Sequence, residues 1–140
     1  MLLSNRGMNP PEPNPNSPAG EKGRVLIVDD NEGLREVIRI LAQDHGFKAV
    51  EAADGLEGME VLENDSDFAV GIIDVKMPRM NGIALLEEVR RRHATLKIVL
   101  ISGAEVELAM HAAHKDPHVV VLPKPFTFEA LRRAAPELDT

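Results

Sequence analysis

Five short apolar runs, separated by segments with helical spacing, constrain the fold of this chain more than any other feature. Most of the runs are continuous and β-branched, as strands buried on both faces of a sheet should be. A strand and helix order that repeats in this way is typical of a parallel sheet wrapped by helices. The runs are Val25–Val28, Ala49–Val50 with its neighbours, Ala69–Ile73, Ile98–Ile101 and Val119–Leu122.

The number and size of these units narrow the architecture further. The chain has 140 residues, which is enough for one ordinary domain. Its five strand–helix units occupy about 117 residues from Arg24 onward. That length fits an α/β fold with a doubly wound, five-stranded parallel sheet and five helices, and it is too short for an eight-stranded barrel.

The first helix has the clearest signal. Leu34, Val37, Ile38 and Leu41 recur at the spacing of one helix face, and Gly46 follows where the helix should end. A second helix over Leu56–Leu62 is weaker because glycines interrupt it. A short fifth helix is predicted to begin near Thr127 and to end before Pro136.

The third and fourth helices raise questions about which residues face solvent. Asn81 is expected to cap the third helix, whose basic end, Arg90–Arg92, is interpreted as a solvated face. The fourth helix is expected to bury one face and to leave Leu108 and Ala112 outside it. The residues assigned to that buried face are Val106, Ala109, Met110 and Ala113.

Composition excludes several classes of function. The chain has no cysteine, so it forms neither disulfides nor thiolate metal sites. A net charge of -7, with no Trp or Tyr and four Phe, disfavours nucleic acid or an anionic membrane as a partner. No segment has the length of a signal peptide or a membrane span. We therefore expect a soluble cytoplasmic protein.

Residues 1–23 differ in composition from the rest of the chain. They hold five of the ten prolines, with Asn, Gly and Ser between them. Such a segment cannot bury a core, and we predict a disordered Pro/Asn-rich tail. The folded domain is then expected to comprise residues 24–140.

Charged and polar side chains follow four of the predicted strands. Right-handed crossovers place the carboxyl ends of parallel strands at one edge of a sheet, where ligands bind. The first strand leaves Asp29 and Asp30 at that edge, the third Asp74, the fourth Ser102 and the fifth Lys124. We expect three carboxylates, a hydroxyl and an ammonium group to converge there.

Such a cluster requires cations. Two unit charges about 4 Å apart interact by roughly 4 kcal/mol at an effective dielectric constant near 20, so three carboxylates repel strongly. Lys124 supplies one positive charge, and an all-oxygen set of ligands suits Mg²⁺. With both cations present, a carboxylate can attack a phosphoryl group and form an aspartyl phosphate. Asp74, at the tip of the central strand, is the expected nucleophile.

A simpler interpretation treats these residues as helix caps and turn formers. Asp30 or Asn31 could cap the first helix, and Ser102 could begin a turn. Capping is a competitive explanation for any one of the residues. It does not explain why all five should follow strand ends.

Four motifs, in order, resemble those of the receiver domains of two-component response regulators. They are LIVDDNEGLR ending at Arg35, IIDVKMPRMNG over Ile72–Gly82, LISGA over Leu100–Ala104 and LPKPF over Leu122–Phe126. The resemblance covers about residues 24–138. It implies a flavodoxin-like sheet with strand order 2-1-3-4-5 and a cis bond between Lys124 and Pro125.

The resemblance also implies a role for each site residue. Asp74 would accept a phosphoryl group, and Lys124 and Ser102 would bind it, Ser102 as the switch hydroxyl. Asp29, Asp30, Asp74 and the backbone carbonyl of Lys76 would hold Mg²⁺. The donor would be a phosphohistidine of a histidine kinase or phosphotransfer protein, and slow self-hydrolysis would follow. Phosphorylation would switch contacts with a downstream protein that the sequence does not identify.

This sequence departs from the family pattern at several positions. Val121 stands where an aromatic residue usually rotates with the switch hydroxyl, and Asp116-Pro117-His118 stands where Gly-Ala is frequent. Lys76 and Ala104 occupy positions that influence the rate of hydrolysis in the family. The lifetime of the phosphorylated form is therefore not predicted.

Sixteen residues follow Lys124, which is room for one helix. We therefore expect a stand-alone receiver, either a monomer or a dimer formed on phosphorylation, that is not an enzyme turning over small substrates. Two rivals remain: an interaction module that signals without phosphorylation, and an aspartate-nucleophile phosphatase. The phosphatase needs a second acid two residues after its nucleophile, where this chain has Lys76.

Three histidines near the end of the fourth helix could suggest a metal site. Pro117 breaks the helix before the last of them, and no acidic or cysteine partner completes a set of ligands. We expect exposed side chains at His111, His114 and His118.

Overall fold

Five parallel strands form one sheet in the order β2-β1-β3-β4-β5, with helices on both faces. The computed structural model describes residues 23–64 and 67–139. Fold class and strand order are as predicted. In chain order the elements are β1 Arg24–Val28, α1 Glu32–Asp44, β2 Lys48–Ala52, α2 Gly55–Asn64, β3 Phe68–Asp74, α3 Gly82–Arg92, β4 Lys97–Ser102, α4 Val106–Lys115, β5 Val119–Pro123, α5 Phe128–Ala134 and a 3₁₀ turn Pro136–Asp139.

The register of the sheet aligns the carboxyl ends of its central strands. Val28 pairs with Ile73, and Asp74 pairs with Ile101. Backbone hydrogen bonds continue past the strands, from the N–H of Val75 to the carbonyl of Ile101 and from the N–H of Lys124 to the carbonyl of Ser102. The residues that follow β1, β3, β4 and β5 are therefore held side by side.

The apolar runs fill two cores, one on each face of the sheet. One packs β-strand residues against α1 and α5 through Ile38 and Leu131, and the other packs them against α2, α3 and α4 through Leu62, Leu85 and Ala109. Residues 25–28 of β1 and 98–101 of β4 are fully buried. Burial on both faces explains why these strands are continuous apolar runs and do not alternate.

Asparagine side chains cap α1 and α3 at their first turns. Asn31 Oδ1 accepts a hydrogen bond from the N–H of Leu34 at 3.0 Å, and Asn81 Oδ1 accepts one from the N–H of Ala84 at 2.9 Å. Thr127 caps α5 in the same way. The predicted cap at Asn81 is confirmed, and of the two candidates for α1 the cap is Asn31 and not Asp30.

Loss of the Asn81 cap is expected to cost about 1 kcal/mol of the free energy of unfolding, because the N–H of Ala84 loses its acceptor. Urea denaturation of Asn81→Ala, followed by far-ultraviolet circular dichroism, measures this loss. Asn81→Asp keeps an acceptor at the same place and is expected to retain most of the stability. Equal destabilisation by both substitutions would contradict a capping role.

The faces of α1 and α4 differ in part from those predicted. Val37 is 37% exposed although it shares the spacing of Ile38, and Met110 is 56% exposed although it was assigned to the buried face of α4. Ala112, expected to be off the buried face, packs against the core beside Ala109. The i, i+3 and i+4 spacing allows either Met110 or Ala112 next to Ala109, and the small side chain is the one that fits against the sheet.

Arg90 was predicted to belong to a solvated face, but it is half-buried and joins three segments. Its Nε bonds to Asp116 Oδ2 at 2.5 Å, and its other nitrogens donate to the carbonyls of His93 and His118. Arg91 and Arg92 are exposed, as predicted. Arg90 thus ties the end of α3 to the turn between α4 and β5.

The predicted tail, apart from Gly23, lies outside the described residues. Within residues 23–64 and 67–139, no helix has the length and hydrophobicity needed to cross a membrane.

Candidate functional site

All five residues singled out in the sequence lie at the carboxyl edge of the sheet. Asp74 and Ser102 end β3 and β4, while Asp29, Asp30 and Lys124 directly follow β1 and β5. One oxygen from each of the three carboxylates lies within 4.8 Å of the others. Lys124 Nζ lies 3.3 Å from Asp74 Oδ1. The expected convergence of three acids and an ammonium group is therefore present.

Asp74 is a buried acid at the tip of β3. The residue is 3% exposed, and burial raises the pKa of its carboxyl group. Lys124 opposes this shift by its charge and its hydrogen bond to the carboxylate. The Lys124 side chain is 34% exposed and Asp30 is exposed, so the site is reached from solvent along one side.

Asp29 is buried, and only one of its two carboxylate oxygens has a hydrogen-bond partner. Its Oδ1 accepts a hydrogen bond from the N–H of Asn31 at 2.8 Å, but its Oδ2 has no partner. The pKa of Asp29 is raised from 3.8 to about 6, chiefly by burial; the bond from Asn31 opposes this shift, and the charge of Asp74 contributes to it. An unpaired buried carboxylate oxygen at neutral pH is costly, so the position favours a bound cation.

Within the described part of this site, Ser102 also has a buried polar atom without a hydrogen-bond partner. Its residue is 1% exposed and its Oγ makes no hydrogen bond. A hydroxyl without a hydrogen-bond partner in the protein can donate to an incoming oxygen. Together with the unpaired oxygen of Asp29, it indicates that the site is incomplete without ligands.

The donor set at this edge is made only of oxygen atoms. Three carboxylates that include an unpaired oxygen fit Mg²⁺, which prefers carboxylates, water and phosphate oxygens. No sulfur or imidazole ligand belongs to the cluster found among the described residues. Lys76, an exposed residue two positions beyond Asp74, is close enough in sequence for its carbonyl to remain a predicted ligand.

The peptide bond between Lys124 and Pro125 is cis, as expected. It lies directly after the lysine that contacts Asp74. Gly82, at the start of α3, supports the same region from the other side, since its N–H donates to the carbonyl of Val75 at 2.8 Å. The backbone that follows Asp74 is therefore tied to the start of α3.

Two residues near the site were missed by the sequence analysis. Asp54, just before α2, is buried, and its Oδ2 accepts hydrogen bonds from Arg79, with 2.7 Å to Nε. The N–H of Glu57 donates to Asp54 Oδ1 and is the main cause of the lowered pKa of Asp54. The capping-box spacing of Asp54 and Glu57 was a signal that could have identified the cap, though not its link to Arg79.

The structure shows where the residues that depart from the family pattern lie and what they contact. Val121 is half-buried on β5, pairs with Leu100 and packs against the core, so a small β-branched residue occupies the usual aromatic position. Asp116 caps the turn before β5 by accepting from the N–H of His118 at 2.9 Å. His111 and His114 are exposed as predicted, whereas His118 is half-buried.

Sequence comparison connects this site to proteins of known class. The sensor kinase CckA of Brucella abortus is 31% identical over 115 residues, covering 81% of this chain and 12% of that protein. The response regulator MprA of Mycobacterium avium is 30% identical over 128 residues, covering 83% of this chain and 54% of that protein. The chain therefore spans about half of one relative and about an eighth of the other.

Comparison with solved structures finds proteins of the same class as the sequence relatives. The crystal structure of the response regulator protein TrrA from Thermotoga maritima, in complex with Mg²⁺-BeF, superposes with a TM-score of 0.69 at 25% identity. The superposition covers 82% of this chain and 97% of that one. A sequence model of the response regulator receiver domain matches residues 25–135, from the first strand to the fifth helix. Because that match contains all five site positions, the chain belongs to the receiver domain family of two-component response regulators.

Proposed function

We propose that this receiver accepts one phosphoryl group on Asp74 from a phosphohistidine of a histidine kinase or phosphotransfer protein. The observation that carries the proposal is the setting of Asp74, a buried carboxylate 3.3 Å from an ammonium group and beside two further acids. A carboxylate in that setting can attack a negatively charged phosphoryl group, because the nearby ammonium group reduces the repulsion between them. The family membership of the chain supports the same chemistry.

The transfer exchanges one phosphorus bond for another. A carboxylate oxygen of Asp74 attacks phosphorus while the bond from phosphorus to the donor's imidazole nitrogen breaks, and its electron pair remains on the imidazole. Lys124 Nζ is placed to neutralise charge on the transferred oxygens, and Ser102 Oγ is free to donate a hydrogen bond to one of them. These contacts fix the phosphoryl group without any further covalent step.

Asp29, Asp30, Asp74 and the carbonyl of Lys76 are the proposed ligands of Mg²⁺. When bound, the ion would offset the repulsion among the carboxylates and withdraw charge from the phosphoryl oxygens. The unpaired Asp29 Oδ2 supports this assignment. The Mg²⁺-BeF complex of TrrA shows that a structural neighbour binds such a pair of ligands.

Phosphorylation would then alter the surface near α4 and β5. The new charge and acceptor oxygens lie beside Ser102 and Lys124, which end β4 and follow β5. Movement of these two residues toward the phosphoryl group would shift the segments attached to them. We propose that a partner protein reads this change. That this receiver acts as a stand-alone protein, without an output domain, stays a prediction.

Incubation with Mg²⁺ and acetyl phosphate is expected to add the mass of one phosphoryl group to the wild-type chain and nothing to Asp74→Asn. Intact mass spectrometry measures the addition. Asp67→Asn is the matched control, because Asp67 is an exposed acid at the opposite end of the same strand. Labelling of Asp74→Asn equal to that of the wild type, or no labelling of the wild type even by a cognate kinase, would refute the proposal.

A further inference from the structure

The loop between β3 and α3 contains a strained turn. Arg79 has a φ of +68°, and the N–H of Met80 donates to the carbonyl of Pro78 at 2.7 Å, across Arg79. This bond and this sign of φ describe a γ-turn of the rarer, strained kind. A residue with a Cβ is disfavoured in that region, so surrounding contacts must hold it there.

The side chain of Arg79 supplies such a contact. Its Nε and Nη2 lie 2.7 Å and 2.6 Å from Asp54 Oδ2. Asp54 is buried and is itself fixed, because its Oδ1 accepts from the N–H of Glu57 at 2.9 Å. A buried carboxylate just before α2 therefore anchors an arginine of the loop that follows Asp74.

The backbone of the same loop is also held against α2, at the residue after Arg79. The N–H of Gly55 donates to the carbonyl of Met80 at 3.2 Å, and a Cβ on Gly55 would lie 2.2 Å from that oxygen. The loop thus rests directly on the first residue of α2. The ion pair, the hydrogen bond and the close packing act on two consecutive loop residues, Arg79 and Met80.

We propose that Arg79 and Asp54 are positioning residues for the phosphorylation site. Their ion pair holds the strained loop so that Lys76, three residues before Arg79, presents its carbonyl toward the acidic cluster. The inference rests on the proposed function, since it assigns the pair a role in Mg²⁺ binding. Neither residue touches the reacting atoms.

Calorimetric titration with Mg²⁺ and acetyl phosphate labelling at several Mg²⁺ concentrations test the proposal. Arg79→Ala is expected to weaken Mg²⁺ binding roughly 10-fold, as loss of a ligand's supporting contact commonly does. The Mg²⁺ concentration for half-maximal labelling should rise by the same factor, and the maximal rate should change less. Calorimetry suits this chain because it has no Trp or Tyr to report binding by fluorescence.

Two further variants separate positioning from folding. Arg79→Gly relieves the strain of positive φ and is expected to keep the thermal midpoint, yet to lose Mg²⁺ affinity as Arg79→Ala does. Asp54→Asn can still cap α2 through its Oδ1, but it loses the charge that pairs with Arg79. The double variant Asp54→Asn/Arg79→Ala should be no weaker than either single one, because one interaction is removed in all three.

Arg92→Ala is the matched control. Arg92, at the end of α3, likewise pairs with an acid, Glu63 of α2, at 3.6 Å, and its loss changes the net charge equally. It is expected to bind Mg²⁺ as the wild type does. Unchanged Mg²⁺ affinity in Arg79→Ala and Arg79→Gly, or an equal loss in Arg92→Ala, would overturn the proposal. A wild-type chain that is never labelled would instead refute the proposed function.

Discussion

Gly82→Ala is expected to lower the free energy of unfolding by roughly 3 kcal/mol, because the new methyl group has no room. A Cβ on Gly82 would lie 2.2 Å from the carbonyl oxygen of Asp74 and 2.9 Å from Val75 Cα. Both neighbours are backbone atoms of the segment that carries the proposed phospho-acceptor, so no side-chain rotation relieves the clash. The start of α3 would have to move away from β3.

The hydrogen bond from Gly82 to the carbonyl of Val75, 2.8 Å long, would be lost in that movement. We therefore expect Gly82→Ala to reduce acetyl phosphate labelling as well as stability. Urea denaturation followed by far-ultraviolet circular dichroism gives the change in free energy, and intact mass gives the labelling.

Gly33→Ala is the control for the intrinsic effect of replacing glycine in a first helical turn. A Cβ on Gly33 meets only Asn31 Oδ1, at 3.4 Å, and the residue is exposed. This variant should be as stable as the wild type or more stable by up to about 1 kcal/mol. Wild-type stability in Gly82→Ala would show that α3 can shift without cost and would contradict the packing argument.

The strand order and the convergence of the site could be predicted because both depend on local patterns. A strand buried on both faces has a continuous apolar sequence. The residue after such a strand must lie at the carboxyl edge of the sheet. Asp29, Asp74 and Lys124 follow such runs directly. Once the sheet is parallel, the proximity of these residues requires no knowledge of side-chain conformation.

The contacts that hold the loops could not be predicted in the same way. Arg79 reaches Asp54, 25 residues away, and Arg90 reaches Asp116, 26 residues away. Long side chains on exposed turns have many possible partners, and only the packing of α2, α3 and α4 decides between them. The positive φ of Arg79 had no signal either, since glycine or asparagine is the usual residue there.

The rotation of α4 illustrates a second limit. Met110 and Ala112 both fit helical spacing with Val106 and Ala109, so periodicity alone did not decide which faces the core. Ala112 and Ala113 pack inward and Met110 is exposed. The distance between a helix and its sheet decides such cases, and that distance depends on residues of both elements.

Asp29→Asn is expected to stabilise the metal-free chain by about 3 kcal/mol at pH 7.5, although it removes a proposed ligand. Burial raises the pKa of Asp29 to about 6 in the folded chain, against 3.8 for an exposed carboxyl group. The folded state therefore binds more protons than the unfolded state between these values. Stability of the wild type falls as pH rises through that window, and the full cost is present above pH 6.

The asparagine variant lacks this cost because its amide does not ionise, and its Oδ1 can still accept from the N–H of Asn31. Its advantage should shrink as pH falls below about 6 and disappear near pH 4. Thermal unfolding with EDTA at several pH values measures the difference. Asp67→Asn, which replaces an exposed acid and changes the net charge equally, is the matched control.

Mg²⁺ should reverse the order of stability at neutral pH. The ion stabilises the folded wild type by binding to it, whereas the variant has lost one carboxylate ligand and gains less. Below pH 6 the wild type should also gain less, because protonation of Asp29 competes with the ion. A variant that equals the wild type at every pH without Mg²⁺ would show that Asp29 carries no uncompensated charge, and the electrostatic account of the site would fail with it.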